Sequence, residues 1–391
     1  MEGKQVSIKQ FVAIQFLVAL AVKMFMLPAL MLRIVGKDSY IVMGIWIAFE
    51  FISLTFFLIT AKRNPDKTIY DILSETLGKV VSRIVVVLFS SFFVLKAILI
   101  ISEIKMFFSV TMYAEIGWAI MIIPLLVLLA SFAIRSLRAM GRTAEIILPT
   151  VLISTLVLTG LLIGDMQGDN LMPVLENGFA PVAEGLITFP VWFGDITFLL
   201  IFLGNVKLGK GFVLATMISK LFASLLVMFF STMLFATYAN MGTLIDYGNN
   251  VSNMTQFSLG AHDYGRFDLL FYCVWMLSVF MKLALIFYFL TRNVSFVINS
   301  RNNYVIAVSC AVALYVISEF FLENENTVFL VCTGVMKYIV CPLAFIMPGL
   351  LLLLSVIKYK PNYHTPKLLN GKEIKEKKNG FKNSEKQNQT A

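Results

Sequence analysis

The chain reads as an all-α polytopic membrane protein of about ten transmembrane helices, and three observations predict it. Its 391 residues carry only 14% charged side chains and have a mean hydropathy of +0.83, a composition that soluble domains do not show. Apolar runs of about 20 residues, the length that crosses a bilayer, recur along it. Lys and Arg collect in alternate junctions between those runs, as in a chain that crosses repeatedly and keeps its basic loops in the cytoplasm.

Taken in order, residues 1–8 are a short polar N-terminus. Ten apolar segments follow at 9–34, 40–61, 84–112, 116–134, 143–164, 186–206, 211–239, 267–291, 303–321 and 328–357. The transmembrane domain is therefore 9–357, with a first half at 9–164 and a second at 186–357. Residues 358–391 are rich in Lys, Asn and Glu. They have too little apolar content to pack a core and are predicted to be a disordered basic tail. Lys62, Arg63, Lys67, Lys79, Arg83, Arg135, Arg138, Arg142, Lys207, Lys210, Arg292 and Arg301 fall on the same side as Lys4, Lys9 and the tail. The other side collects Glu115, Asp165, Asp169, Glu176, Glu319, Glu323 and Glu325, with Arg33, Lys37 and Arg266 as exceptions. Both termini are predicted to be cytoplasmic. The first run is too long, and too poor in small residues at its end, for a cleavable signal peptide.

The formal charge of +9 belongs to loops and tail, so it marks a lipid surface and not a nucleic-acid partner. Cys273, Cys310, Cys332 and Cys341 lie in apolar segments without metal-ligand spacing. His262 and His364 lie in a loop and the tail. No nucleophile, metal or phosphate-cradling motif stands in a setting that would make an enzyme, and no cofactor is expected.

The sixth segment departs from a plain span. In Leu186–Leu203, LITFPVWFGDITFLLIFL, Pro190 removes a backbone donor, Gly194 follows, and Asp195 puts a carboxylate near mid-membrane. Proline costs about 3 kcal/mol inside a helix. A mid-bilayer charge costs about 2.5–3.5 kcal/mol even on the insertion scale. Broken backbone at that depth persists only when buried in protein or lining a wet cavity. The first segment is interrupted in the same way, with Lys23 mid-span and Pro28 after it. Five segments are an odd number of crossings, so a repeated five-segment unit must be inverted. Paired interrupted segments in corresponding positions point to a midplane site between such repeats. The competing explanation is a pair of proline kinks, common in membrane helices, with Asp195 in a structural ion pair.

Six lysines fall inside apolar segments: Lys23, Lys96, Lys105, Lys220, Lys282 and Lys337. Glu50, Glu103, Glu145 and Asp195 are the available acids. Lys220 and Lys337 lie within reach of an interface and are expected to snorkel. Glu145 has Arg138 and Arg142 close by as partners. Lys96 and Glu103, seven residues apart, share one face of segment 3, so that face should turn inward. Buried charges must pair or be neutralised. These considerations predict a central cluster of Lys23, Glu103, Asp195 and Lys282. Met24, Phe25, Trp192, Phe193 and Gly194, at the breaks, complete the candidate ligand-binding set. Backbone N–H groups freed at the breaks suit a carboxylate. An ammonium would need acids or carbonyls, and an amino acid fits both demands.

Three stretches together carry a resemblance. Gly141-Arg142-Thr143-Ala144-Glu145-Ile146-Ile147-Leu148-Pro149 opens segment 5, Asn170-Leu171-Met172-Pro173-Val174-Leu175-Glu176-Asn177-Gly178 follows in an acidic loop, and Trp192-Phe193-Gly194-Asp195 comes next. The chain resembles the spore germination permeases, the B subunits of bacterial nutrient germinant receptors, across segments 1–10 and most specifically over 135–206. The resemblance implies the amino acid–polyamine–organocation transporter superfamily, a five-plus-five inverted repeat with helices 1 and 6 unwound, and nutrient sensing in the spore inner membrane. It also implies a receptor A subunit and a lipoprotein C subunit as partners. Where the superfamily usually places small residues before the first break, this chain has Ala21-Val22-Lys23, an ammonium that puts sodium coupling in doubt. Three functions remain open: a ligand-sensing receptor subunit, an amino acid–proton symporter of the same fold, and a scaffold with a vestigial pocket.

Overall fold

The computed structural model describes residues 5–24, 27–111, 117–163, 166–238, 267–300, 302–322 and 334–358. Over these the protein is helical, and the single β contact is an isolated parallel bridge between Val6 and Val206. The helices are α1 (Ile8–Leu20), α2 (Leu27–Ile34), α3 (Ser39–Arg63), α4 (Ile69–Thr111), α5 (Trp118–Ile134), α6 (Leu137–Leu162), α7 (Ala180–Thr188), α8 (Ile196–Leu199), α9 (Phe212–Tyr238), α10 (Phe267–Ile298), α11 (Asn303–Leu322) and α12 (Val335–Lys358). Six stretches are long and apolar enough to cross a membrane, all within α3, α4, α6, α9, α10 and α11 apart from the turn that leads into α3. The pair Ala180–Thr188 and Pro190–Phe202, bent by 49°, makes a seventh candidate. Three shorter apolar helices lie at Ile8–Leu20, Ala119–Ile134 and Pro342–Lys358. The chain is an all-α polytopic integral membrane protein.

Local chemistry sets several ends. Ser7 caps α1 by accepting from Gln10 N, while the Gln10 side chain accepts from Ser7 N, which satisfies two orphan N–H groups reciprocally. Ser136 caps α6 through Ala139 N, so that helix begins six residues before the expected 143. Thr68 and Asp71 exchange bonds at the start of α4. This helix begins at 69 instead of 84, and it bends at Gly78 (φ 78°), where the backbone leaves helical geometry.

Both predicted interruptions are present. The α1 helix stops at Leu20, and α2 restarts at Leu27, so Pro28 sits in the first turn of the second half, where a missing N–H costs nothing. After α7, the sixth span proceeds as a 3₁₀ turn over Pro190–Trp192, extended Phe193, Gly194 at φ +85°, short α8, and a 3₁₀ turn over Leu200–Phe202. The two breaks lie inside the bundle. The α1 helix packs on α6, α9 and α10; α10 packs on α4, α5 and α6; α12 covers α3, α4, α8 and the Pro190 turn.

Loop contacts sort the junctions into two faces. On one, Val6 bonds to Asn205 and Lys207 (2.8 and 2.9 Å), Asn64 Nδ2 donates to Ser355 Oγ (2.5 Å), and Tyr70 Oη donates to Asn293 Oδ1 (2.8 Å). On the other, Lys37 donates to Glu176, Asp38 Oδ1 accepts from Leu175 N (3.0 Å), and Asn170 Nδ2 donates to Ala236 O (2.6 Å). The first group of junctions includes Lys207 and the second includes Glu176. The loop at 239–266 and the tail from 359 lie outside the described residues.

Candidate ligand site at the two helix breaks

The site is built where interrupted backbone meets charge. At the second break, a chain that is not helical from Phe193 to Asp195 leaves the N–H groups of Gly194 and Asp195 and the carbonyls of Val191 and Phe193 without intrahelical partners. Each side is met by a side chain from another helix. Glu50 Oε1, from α3, accepts from Gly194 N (3.1 Å) and Asp195 N (3.2 Å). Lys96 Nζ, from α4, donates to Val191 O and, at 3.1 Å, to Phe193 O. At the first break, Trp275 Nε1 of α10 donates to the carbonyl of Ala21, the residue that follows α1.

Ion pairs join the breaks. Lys23 Nζ lies 2.7 Å from both Glu50 oxygens and 2.8 Å from Asp195 Oδ2. Lys23 is the ion-pair partner of Asp195 Oδ2 among the described residues. Lys282 Nζ, near the middle of α10, donates to Asp195 Oδ1 (2.7 Å). Lys220 Nζ, from α9, donates to Glu50 Oε2 (2.6 Å). All five side chains are buried, Glu50 completely. The lysines sit against aromatic faces: Lys23 Nζ is 4.9 Å from the Phe193 ring centroid, and Lys282 and Lys96 are 5.8 and 5.9 Å from that of Phe198. Ring quadrupoles favour a cation at such distances.

The structure brings Lys23, Asp195 and Lys282 together, as the sequence suggested, and adds two residues outside the predicted set. One is Glu50, which sequence offered only as one of four possible acids. The other is Lys220, expected to snorkel; the structure corrects this, since Lys220 is buried and ion-paired. Glu103 does not join the ion pairs. It is buried beside them, with Oε1 accepting from Trp192 Nε1 (3.2 Å) and Oε2 without a hydrogen-bond partner. Lys96 and Glu103 do turn inward, as their spacing implied, and both end against the second break. Glu145 accepts from Gln10 Nε2 (3.4 Å) across the α1–α6 contact. Met24, Trp192 and Phe193 are buried at the breaks. Phe25 lies outside the described residues.

Trp46 of α3 stacks on Phe193 and Phe345 (centroids 5.9 and 5.1 Å apart) and leaves its buried Nε1 unpartnered. An orphan acceptor at Glu103 and an orphan donor at Trp46 thus flank the second break. Gly194 is required twice over. Its φ of +85° is a region that L side chains rarely occupy, and a Cβ there would stand 2.9 Å from Ala344 Cβ of α12. Thr197 Oγ1 ties the same turn to Ala344 O (2.6 Å).

Fold and site together define an integral membrane protein whose two interrupted spans meet at a buried ion network. The sequence pattern of the spore germination protein family (Spore_permease) matches residues 5–328, and the chain belongs to that family. It is similar to the spore germination protein YndE of Bacillus subtilis (strain 168), with 24% identity over 302 residues, covering 75% of this chain and 80% of the relative.

Proposed function

We propose that the protein is the nutrient-sensing membrane subunit of a spore germinant receptor, binding a small solute, an amino acid by its chemistry, at the two breaks. Family membership supports a germination-related permease or receptor subunit. The observation that carries the finer reading is the convergence of Lys23, Glu50, Lys220, Asp195 and Lys282 on interrupted backbone. Broken spans that only kinked would not need five buried charges, each costly to desolvate. A solute that competes for these pairs changes their arrangement, and so shifts the population of conformations that a partner subunit reads. In this proposal both termini are cytoplasmic, the two halves form a five-plus-five inverted repeat, the membrane is the spore inner membrane, and an A subunit and a lipoprotein C subunit are the partners. The test is a thermal-stability screen of the purified chain against amino acids and nucleosides. A ligand at 100 times its Kd adds about 2.7 kcal/mol. A hit is expected that disappears in Lys23→Ala and Asp195→Asn; a hit unchanged by both variants places the ligand elsewhere.

One observation favours a second reading, an amino acid–proton symporter. Glu103 is a buried carboxyl that can take up a proton without breaking an ion pair. Net proton-coupled uptake in liposomes, lost in Glu103→Gln, would establish it; binding without uptake removes it.

A further inference from the structure

We propose that Glu50 is a tethered ligand: its carboxylate fills the carboxylate subsite of the second break, and a carboxylate-bearing solute binds by replacing it. The proposal rests on the reading of the breaks as a solute site, and adds the group recognised and what holds its place.

Glu50 is delivered by α3 to backbone that is not its own. Oε1 takes Gly194 N, Asp195 N and Lys23 Nζ, and Oε2 takes Lys220 Nζ and Lys23 Nζ. Donors from both breaks and from α9 therefore converge on one carboxylate, close to the full capacity of its lone pairs. Water or an amide would satisfy the two N–H groups. The two ammonium groups call for an anion. The opposite polarity of the break is filled in the same way, by the Lys96 ammonium on the carbonyls of Val191 and Phe193. The ends of the break are thus held by one carboxylate and one ammonium, the two groups an amino acid would bring.

The remaining pairs identify which groups lose a partner when Glu50 leaves. Lys23 keeps Asp195 at 2.8 Å, and Asp195 keeps Lys282 at 2.7 Å. Lys220 has no second carboxylate in ion-pair distance among the described residues. Lys220 and the N–H groups of Gly194 and Asp195 are therefore the groups that receive an incoming carboxylate, and Lys220 is the residue that sets its charge. The unpartnered Glu103 Oε2 and Trp46 Nε1 remain for the rest of the solute.

The experiment is chemical rescue in the full chain. Glu50→Ala is purified in detergent and its Tm followed against acetate and propionate, with chloride and methylammonium chloride at matched ionic strength. A saturable rise of several degrees is expected with the carboxylates only, absent in wild type and in Glu50→Ala/Lys220→Met. Where Glu50→Ala yields no folded protein, recovery of monodisperse protein on purification with propionate, and not with chloride, is the expected result. No carboxylate-specific shift in a folded variant, or no recovery of an unfolded one, overturns the proposal. The amino-acid screen on wild type reports on the sensing role separately. Rescue without any wild-type response keeps the subsite and removes that role. A wild-type response that needs Lys23 and Asp195, without rescue, does the reverse.

Discussion

Glu50 and Glu103 are both buried carboxyl groups inside spans, and their surroundings set them apart. Glu50 anchors two ammonium groups and two backbone N–H groups, whereas Glu103 has one indole donor. Breaking a buried pair from one side strands the other charge, at about 3–5 kcal/mol. Glu50→Gln is expected to destabilise by that order, and Glu103→Gln, which keeps an acceptor for Trp192, by less than about 1 kcal/mol. Thermal unfolding of the two variants in detergent compares them directly; equal losses would contradict the assigned pairing. At Gly194, backbone strain and the Ala344 contact act together, and a strained φ alone costs about 1–3 kcal/mol. Gly194→Ala is expected to lower stability by at least that order, while Gly160→Ala, where a Cβ meets open space inside α6, serves as a control that is expected to keep or slightly raise stability.

At the scale of elements, α7 is the part of the sixth span that leads into the break, and its position depends on a close approach. A Cβ on Gly185 would stand 2.4 Å from Val35 Cγ2 and 3.1 Å from Val42 Cγ2. The α7 helix therefore lies almost in backbone contact with the turn before α3 and with α3 itself. Gly185→Leu overpacks this contact and is expected to cost about 1–3 kcal/mol. Because α3 carries Glu50 and α7 leads to Gly194, the variant should also weaken whatever solute response the wild-type chain shows. Unfolding and ligand titration on the same preparation check both.

For the whole molecule, contacts between distant loops group the junctions by face. Residues 6, 64, 70, 205–207, 293 and 355 meet on one side, and residues 37–38, 170, 175–176 and 236 on the other. In the proposed orientation, with the basic face cytoplasmic, single-cysteine variants at Lys67 and Glu176 are expected to react from opposite sides of the membrane. In sealed right-side-out vesicles an impermeant maleimide should label Glu176→Cys, and should label Lys67→Cys only after permeabilisation. The reverse pattern would invert the proposed orientation and put the tail outside.

Much of this architecture is legible in the residues. Long apolar runs and the distribution of Lys and Arg determine an all-α polytopic membrane protein, because in lipid a continuous apolar run of about 20 residues satisfies its backbone groups within its own helix. Pro190, Gly194, Asp195 and Lys23 mark both breaks, since each is costly in a plain span. Segment ends were less legible: the opening turns of α4 and α6 interrupt their apolar residues with charges such as Asp71 and Arg138, and caps at Thr68 and Ser136, not hydropathy, decide where the helices begin. That Lys23, Asp195 and Lys282 would cluster was legible; the partner of each charge, and the parts of Glu50 and Lys220, were not. Lys220 stands eight residues into α9, about 12 Å from its start, a depth from which a lysine can reach water or a partner. Which it does depends on whether Glu50 of α3 lies across from it. Glu103 and Glu50 look alike in sequence, and only the packing of α3 and α4 around the second break gives one four donors and the other a single indole. Sequence determined that charge would be buried at two broken helices; the tertiary structure decided which charges meet, because burial forces pairing and only helix packing sets the distances over which pairs form.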